Sequence, residues 1–167
     1  MSMNTVPERL AALRAAMAAN GVAVYLIPVG DPHASEYLPC HYTSLTWFSG
    51  FHGENSNFVV TRTESALWAD GRYFVQAEKE IAGTEIKLQR MGEPGVPTVE
   101  EYCANALNEG EALGLCGLTA STALVNDLKK ALEKKGASIK TLNLEDELWT
   151  EAVSYTHLRA HETEADL

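Results

Sequence analysis

The stretch Leu67-Trp68-Ala69-Asp70-Gly71-Arg72-Tyr73-Phe74-Val75-Gln76-Ala77 decides how the rest of the chain is read. It joins an apolar strand end to a turn, and the turn to a helix. Asp70-Gly71 is a turn signal, because glycine tolerates positive φ and aspartate bonds its own backbone. Beyond it, Tyr73, Phe74, Ala77 and Ile81 recur at helical spacing. Asp70 therefore stands at a helix N-terminus, where a carboxylate accepts backbone N–H groups and complements the macrodipole. On physics alone this is a capped β-turn-α unit in a domain core, with Arg72 pairing locally.

Working outward, residues 58–61 and 66–69 read as two strands. The short Arg62-Thr63-Glu64-Ser65 connection makes them a hairpin. Residues 22–28 form an unalternating apolar run, the pattern of a central strand covered on both faces, and Pro28 ends it. A polar loop over 29–39 follows, with a helical turn that Asp31 or Pro32 would open. At the start, Thr5-Val6-Pro7-Glu8 is a capping box for a helix over 6–20, stopped by Gly21. Downstream, the helix of the opening stretch runs to about Gly83. Residues 85–91 alternate as a half-exposed strand, and Thr98 with Glu101 opens a helix to 107. A strand over 113–117, a helix over 119–135, a strand over 139–142 and a helix beginning at 144 complete the order. In the 119–135 helix Leu124, Leu128 and Leu132 share a stripe, and lysines fill the last turns. Strands alternating with helices predict an α/β fold: a layered mixed β-sheet flanked by helices, with the hairpin as its antiparallel part.

The bulk numbers bound the function. A chain of 167 residues with 46% hydrophobic content suffices for one domain with a real core. Its net charge is −10, from 13 basic and 23 acidic residues, without a basic cluster. That argues against a nucleic-acid surface and against an anionic membrane surface. No run approaches the roughly 18 apolar residues of a membrane span, and the N-terminus has no secretory core. Cys40, Cys103 and Cys116 are odd in number and widely spaced, with no CxxC pair. A reduced, cytoplasmic compartment is the simplest expectation, with each cysteine a small buried hydrophobe.

The residues alone give no complete active site. His33, His41 and His52 fall in the loops before the hairpin, near Asp31, Glu36, Cys40 and Glu54, but no spacing matches a metal-ligand pattern. There is no GxSxG elbow, no GxGxxG and no P-loop. The aromatics Tyr42, Trp47, Phe48, Phe51, Trp68, Tyr73 and Phe74 are dense, most as core and some as interface anchors. Residues 153–167 carry no clean period. His157 and His161 stand four apart there, but the run 153–163 resembles the translation of a transposase adapter used in sequencing libraries. The expected division is a native domain over 1–152 and a non-native tail over 153–167.

A family resemblance rests on several ordered motifs. Trp68-Ala69-Asp70-Gly71-Arg72-Tyr73-Phe74-Val75-Gln76-Ala77 resembles the DGRYF-x-QA signature of the creatinase-type N-terminal domain in Xaa-Pro aminopeptidases (aminopeptidase P). Gly30-Asp31-Pro32-His33-Ala34-Ser35-Glu36-Tyr37 is similar to the G-D-x-H-x-S-E-Y loop of the cytosolic multi-domain branch. Phe48-Ser49-Gly50-Phe51 resembles its S-G-F segment. Pro97-Thr98 before a helix also fits, and Leu144-Glu145-Asp146-Glu147-Leu148-Trp149 resembles the N-L-V-D-x-I-W end of the domain. One stretch departs: the family's G-S-x-G turn is replaced by His52-Gly53-Glu54-Asn55-Ser56-Asn57, which puts the backbone geometry there in question.

The resemblance implies a ribonuclease-H-like α/β layer, non-catalytic, belonging to an enzyme that removes an N-terminal residue preceding proline. It implies that the chemistry lies in a separate C-terminal domain with two divalent metals, usually manganese, and a bridging water nucleophile. No ligand of that site carries over, so no catalytic or metal residue is assigned here, and the chain is expected to stop before that domain and to be inactive alone. The implied partners are that missing domain, further copies in a homo-oligomer, and the peptide substrate. His33, Glu36, Asp70 and Arg72 are the candidates for interface or substrate-entrance contacts. The competing readings are an Xaa-Pro dipeptidase parent, an inactive creatinase-like binding protein, and a stand-alone interaction module.

Overall fold

The computed structural model describes residues 3–150. The expected boundary at 152, the non-native tail and the His157/His161 pair lie outside the described residues. Six strands form one sheet in the order β4-β3-β2-β1-β5-β6. They are β1 (Val24–Pro28), β2 (Asn57–Thr61), β3 (Ser65–Ala69), β4 (Lys87–Arg90), β5 (Ala112–Leu115) and β6 (Ser138–Thr141). β2 runs antiparallel to both β1 and β3, while the β1–β5, β3–β4 and β5–β6 pairs are parallel. β2 alone is reversed, so the other five strands end at one edge. The sheet is the predicted mixed layer, with the hairpin as its antiparallel part.

The alternation of side chains splits the core in two. On one face lie Tyr25, Ile27, Phe58, Val60, Leu67 and Ala69, packed with α1 (Val6–Ala19), α2 (Ser44–Ser49), α3 (Phe74–Glu80) and α6 (Leu144–Leu148). On the other lie Val24, Leu26, Val59, Ala66 and Trp68, under α4 (Val99–Ala106) and α5 (Thr122–Glu133). All five β1 residues are buried, as the unalternating run required. Gly114 of β5 leaves room for Tyr25, whose Cδ2 lies 2.8 Å from where a Cβ would stand.

Local signals set the boundaries. Both capping boxes form, Thr5 with Glu8 and Thr98 with Glu101. α5 starts later than predicted, because the Ser121 side chain accepts the Leu124 N–H and so sets the N-cap there, and the chain before it turns at Cys116–Thr119. α2 lies between the polar loop over 29–39 and the hairpin, in a stretch for which the sequence predicts no element. It is six residues long with no capping side chain, and it is held by burial of Leu45 and Phe48 and ended by Gly50 at φ 79°. Cys103 and Cys116 are buried, but Cys40 is exposed, against expectation. It opens a single 3-10 turn over Cys40–Tyr42, none of whose residues is buried.

Candidate functional site

The opening stretch turns and enters a helix as expected, but Gly71 takes no positive φ, and Asp70 caps a 3-10 turn while α3 itself starts after Tyr73 without a side-chain cap. The Asp70 carboxylate accepts the Arg72 N–H at 2.9 Å, and the Asp70 carbonyl accepts the Tyr73 N–H at 2.8 Å. A 3-10 turn over Gly71–Tyr73 then leads into α3. The Arg72 guanidinium turns back on the same carboxylate at 3.2 and 3.4 Å. Asn55 Nδ2 donates to it at 3.2 Å. These bonds, the Arg72 N–H first, hold the Asp70 carboxyl at about 2. The local reading of Asp70 and Arg72 is therefore what the geometry contains.

The sheet topology places a larger feature beside it. β1 and β5 are parallel neighbours, yet the chain leaves them toward opposite faces, to α2 and to α5. Such a switch point opens a crevice outside the carboxyl ends of the strands. The crevice here measures about 1260 Å³ and is walled by three connections: residues 28–46 after β1, 52–57 before β2, and 117–124 after β5. Gly30 lets two walls meet, since a Cβ there would lie 2.6 Å from the Thr119 carbonyl oxygen. Ala34 (φ 52°) and Asn55 (φ 46°) are the non-glycine residues with left-handed backbone among those described, and both line the crevice. Asn55 thus carries a left-handed turn within the 52–57 stretch. Gly53 serves differently, because a Cβ there would stand 2.0 Å from the Phe51 ring.

Asp31 organises the wall after β1. Its Oδ1 accepts the N–H groups of Ser35 (3.0 Å) and His33 (2.9 Å), and these bonds, Ser35 first, lower its pKa. Its Oδ2 and the Ser56 hydroxyl are buried with no partner among the described residues. Among the described residues the crevice carries the carboxylates of Asp31, Glu36 and Glu54 and one imidazole, His52, and no lysine or arginine lines it. Tyr37 and Leu118 present exposed apolar surface on its rim, 82% and 55% accessible.

Of the four residues singled out from sequence, Glu36 lines this crevice, and Asp70 reaches it through Asn55. His33 lies in the same exposed loop and Arg72 on the turn after β3, at the same sheet edge, without lining the crevice. The histidines do not converge: His41 pairs with Asp146 at 3.4 Å and His52 with Glu80 at 3.3 Å. Among the described residues no group of three or more His, Cys, Asp or Glu side chains comes together to hold a metal ion, so these residues do not fit the paired-metal site.

Sequence reasoning missed the 117–122 wall, which carried only strand and helix signals, and it missed a buried carboxyl. Glu145 is 4% exposed and takes a hydrogen bond from the Tyr25 hydroxyl. That hydroxyl also lies 3.1 Å from the Leu142 carbonyl and accepts the Leu144 N–H at 3.1 Å. Burial raises Glu145 to about 7, and its Oε1 has no partner among the described residues. The available signal was the glutamate standing where the resembled motif has valine.

Comparison with known proteins follows the same lines. A profile of the Creatinase/Prolidase N-terminal domain matches residues 9–163. Aminopeptidase P2 of Arabidopsis thaliana is 38% identical over 152 residues, which is 88% of this chain and 21% of that protein. A probable Xaa-Pro aminopeptidase P of Sordaria macrospora is 37% identical over 91% of this chain and 25% of its own length. The X-prolyl aminopeptidase of Caenorhabditis elegans, described as a cytosolic enzyme with a di-nuclear active site, superposes with a TM-score of 0.80. Its identity is 33%, over 89% of this chain and 26% of that one. The N-terminal domain of the cytoplasmic peptidase PepQ from Mycobacterium tuberculosis gives 0.59 at 26% identity, covering 83% of this chain and 95% of that one. The chain thus spans 21% and 25% of the two relatives' lengths. Among the described residues no helix is long and apolar enough to cross a membrane.

Proposed function

The chain belongs to the creatinase/prolidase N-terminal domain family, and on that premise we propose that it is the non-catalytic N-terminal domain of a metal-dependent Xaa-Pro aminopeptidase. The observation that carries this is the 38% identity to an aminopeptidase P across 88% of the chain. In this reading a separate domain of a longer cytoplasmic protein holds two divalent metals, manganese in the first instance. The metals would supply the activated water there, and the present residues would supply none of the ligands.

What this chain contributes is surface. The loop with His33 and Glu36 and the turn with Asp70 and Arg72 leave the sheet at one edge. Asp70 fixes Arg72 against the backbone, so a cation is presented there with little freedom. We assign this edge to the substrate entrance or to contacts within a homo-oligomer, and the chain is inactive by itself. A dipeptidase parent has less support: the Bacillus anthracis Xaa-Pro dipeptidase is 18% identical, a likeness of fold alone.

The test is to recover the longer gene, purify its product, and measure release of the first residue from an Xaa-Pro peptide with manganese present. Release that weakens on substituting Glu36 or Arg72, with the oligomeric state followed in parallel, supports the reading. A product without Xaa-Pro cleavage overturns it.

A further inference from the structure

We propose that Glu145 is a proton-operated latch: neutral, it closes α6 onto the sheet through Tyr25; ionised, it loosens α6 and the Trp149 ring that follows it. The latch does not depend on a peptidase parent. Its first support is placement. α6 has five residues, too few to be stable by propensity, and it is the last helix among the described residues. Its entry is tied to β1 at one atom, the Tyr25 hydroxyl oxygen. That oxygen accepts the Leu144 N–H at 3.1 Å, lies 3.1 Å from the Leu142 carbonyl oxygen, and shares a hydrogen bond with the Glu145 carboxyl.

The second support is the count of hydrogens. A phenol oxygen has one proton to give and accepts at its lone pairs. The Leu144 N–H takes up one lone pair, and the Leu142 carbonyl and an ionised Glu145 then compete for the single proton. A neutral Glu145 ends the competition. Its own O–H donates to the phenol oxygen, the Tyr25 proton goes to Leu142, and all three contacts are hydrogen bonds at once. Ionisation removes one of them and leaves a charge on a residue that is 4% exposed, with Oε1 unpartnered among the described residues.

The third is the lack of a compensating cation among the described residues. From β1 Glu145 meets Tyr25, and from the chain after β5 it meets Cys116. On its own helix Glu147 is exposed, and Asp146, which raises Glu145 further, is bonded to Asn143 and His41. α2 carries no charged side chain, and Lys140 of β6 reaches the Asn20 carbonyl. The charges of α1 are engaged elsewhere: Glu8 in its capping box, Arg9 on the Met3 and Trp47 carbonyls, Arg14 on Thr61 and Glu85.

The latch holds a defined surface. Trp149 stacks on Trp47 at 5.6 Å and 17°, and the Arg9 guanidinium lies 4.5 Å from the Trp47 ring centre. Leu144 and Leu148 share a core with Leu10, Leu13 and Met17 of α1. A proton held to about 7 in the closed helix, against 4.5 in water, lets ionisation favour opening by up to about 300-fold.

The experiment is an amide-resolved NMR titration of the full chain from pH 5 to 9, with the Overhauser contact between the Trp47 and Trp149 rings measured at both ends. The expected result is that the amides of 142–149 shift together with one midpoint near 7 and the ring contact is lost by pH 9, while the amides of 58–68 stay in place. Glu145→Gln, which donates to Tyr25 and cannot ionise, should keep the ring contact at both ends. Tyr25→Phe should lose it at pH 5 as well, with the rest of the spectrum folded. His41→Gln should leave the midpoint where it is, which separates the latch from an imidazole changing charge in the same range. A flat titration of 142–149 overturns the latch, and so does one that persists unchanged in Glu145→Gln. A Glu145 carboxyl that titrates while the ring contact survives, or a Tyr25→Phe chain that keeps the contact at pH 5, also overturns it.

Discussion

Replacing Glu145 by glutamine should remove a pH dependence that this fold carries. Glu145 is raised from its ordinary value of 4.5 to about 7, chiefly by burial, against the lowering effect of its bond from Tyr25. Between those two pH values the folded chain keeps the proton that the unfolded chain has lost. The folded state therefore binds more protons, and stability falls as pH rises from about 4.5 to about 7, then levels off. The shift of roughly two and a half units corresponds to about 3 kcal/mol. Glutamine keeps the shape and an acceptor for Tyr25 but cannot ionise. Tyr25 also keeps Leu142 and Leu144 as partners, so the substitution orphans nothing new on β1. Urea unfolding of wild type and Glu145→Gln should give equal stability near pH 4.5 and a gap of about 3 kcal/mol in favour of glutamine at pH 8. Carboxylates held low elsewhere, such as Glu85 beside Arg14, cancel in the difference. Two stability curves that stay parallel from pH 4.5 to 8 would refute the buried, proton-holding state of Glu145.

Other outcomes follow from packing and capping. Gly114→Ala should destabilise by about 1–3 kcal/mol in thermal or urea unfolding, because its Cβ would meet Tyr25 at 2.8 Å and Val22 at 2.9 Å. Thr98→Ala should cost about 1 kcal/mol, since it opens the capping box of α4. A thiol reagent on the native chain should label Cys40 quickly. Cys103 and Cys116 should react only on unfolding, because burial pushes both thiols up. Arg72→Ala should leave the unfolding midpoint almost unchanged, because its pair with Asp70 is exposed; in the longer enzyme the same change should lower turnover of Xaa-Pro peptides.

Much of the fold was legible because its signals are local. The Asp70-Gly71 turn, the two capping boxes and the unbroken run of β1 each specify geometry within a few residues, and the structure keeps all of them. α2 was not legible, since six residues without a capping side chain are stabilised by tertiary burial and not by propensity. The crevice was half legible. Its 30–37 wall was visible as a polar loop with carboxylates. The 117–122 wall joins it only through the sheet order, and sheet order is not written in any one segment. The Tyr25–Glu145 contact spans 120 positions and left only one trace, a charged residue at a motif position that should be apolar.

The most direct test of the central claim compares two proteins on one substrate: this chain alone and the longer gene product, each with manganese and an Ala-Pro-Ala peptide. The account predicts release of the first alanine by the longer protein, lost on chelation, and none by this chain. Release by this chain alone, or none by the longer protein, would contradict it.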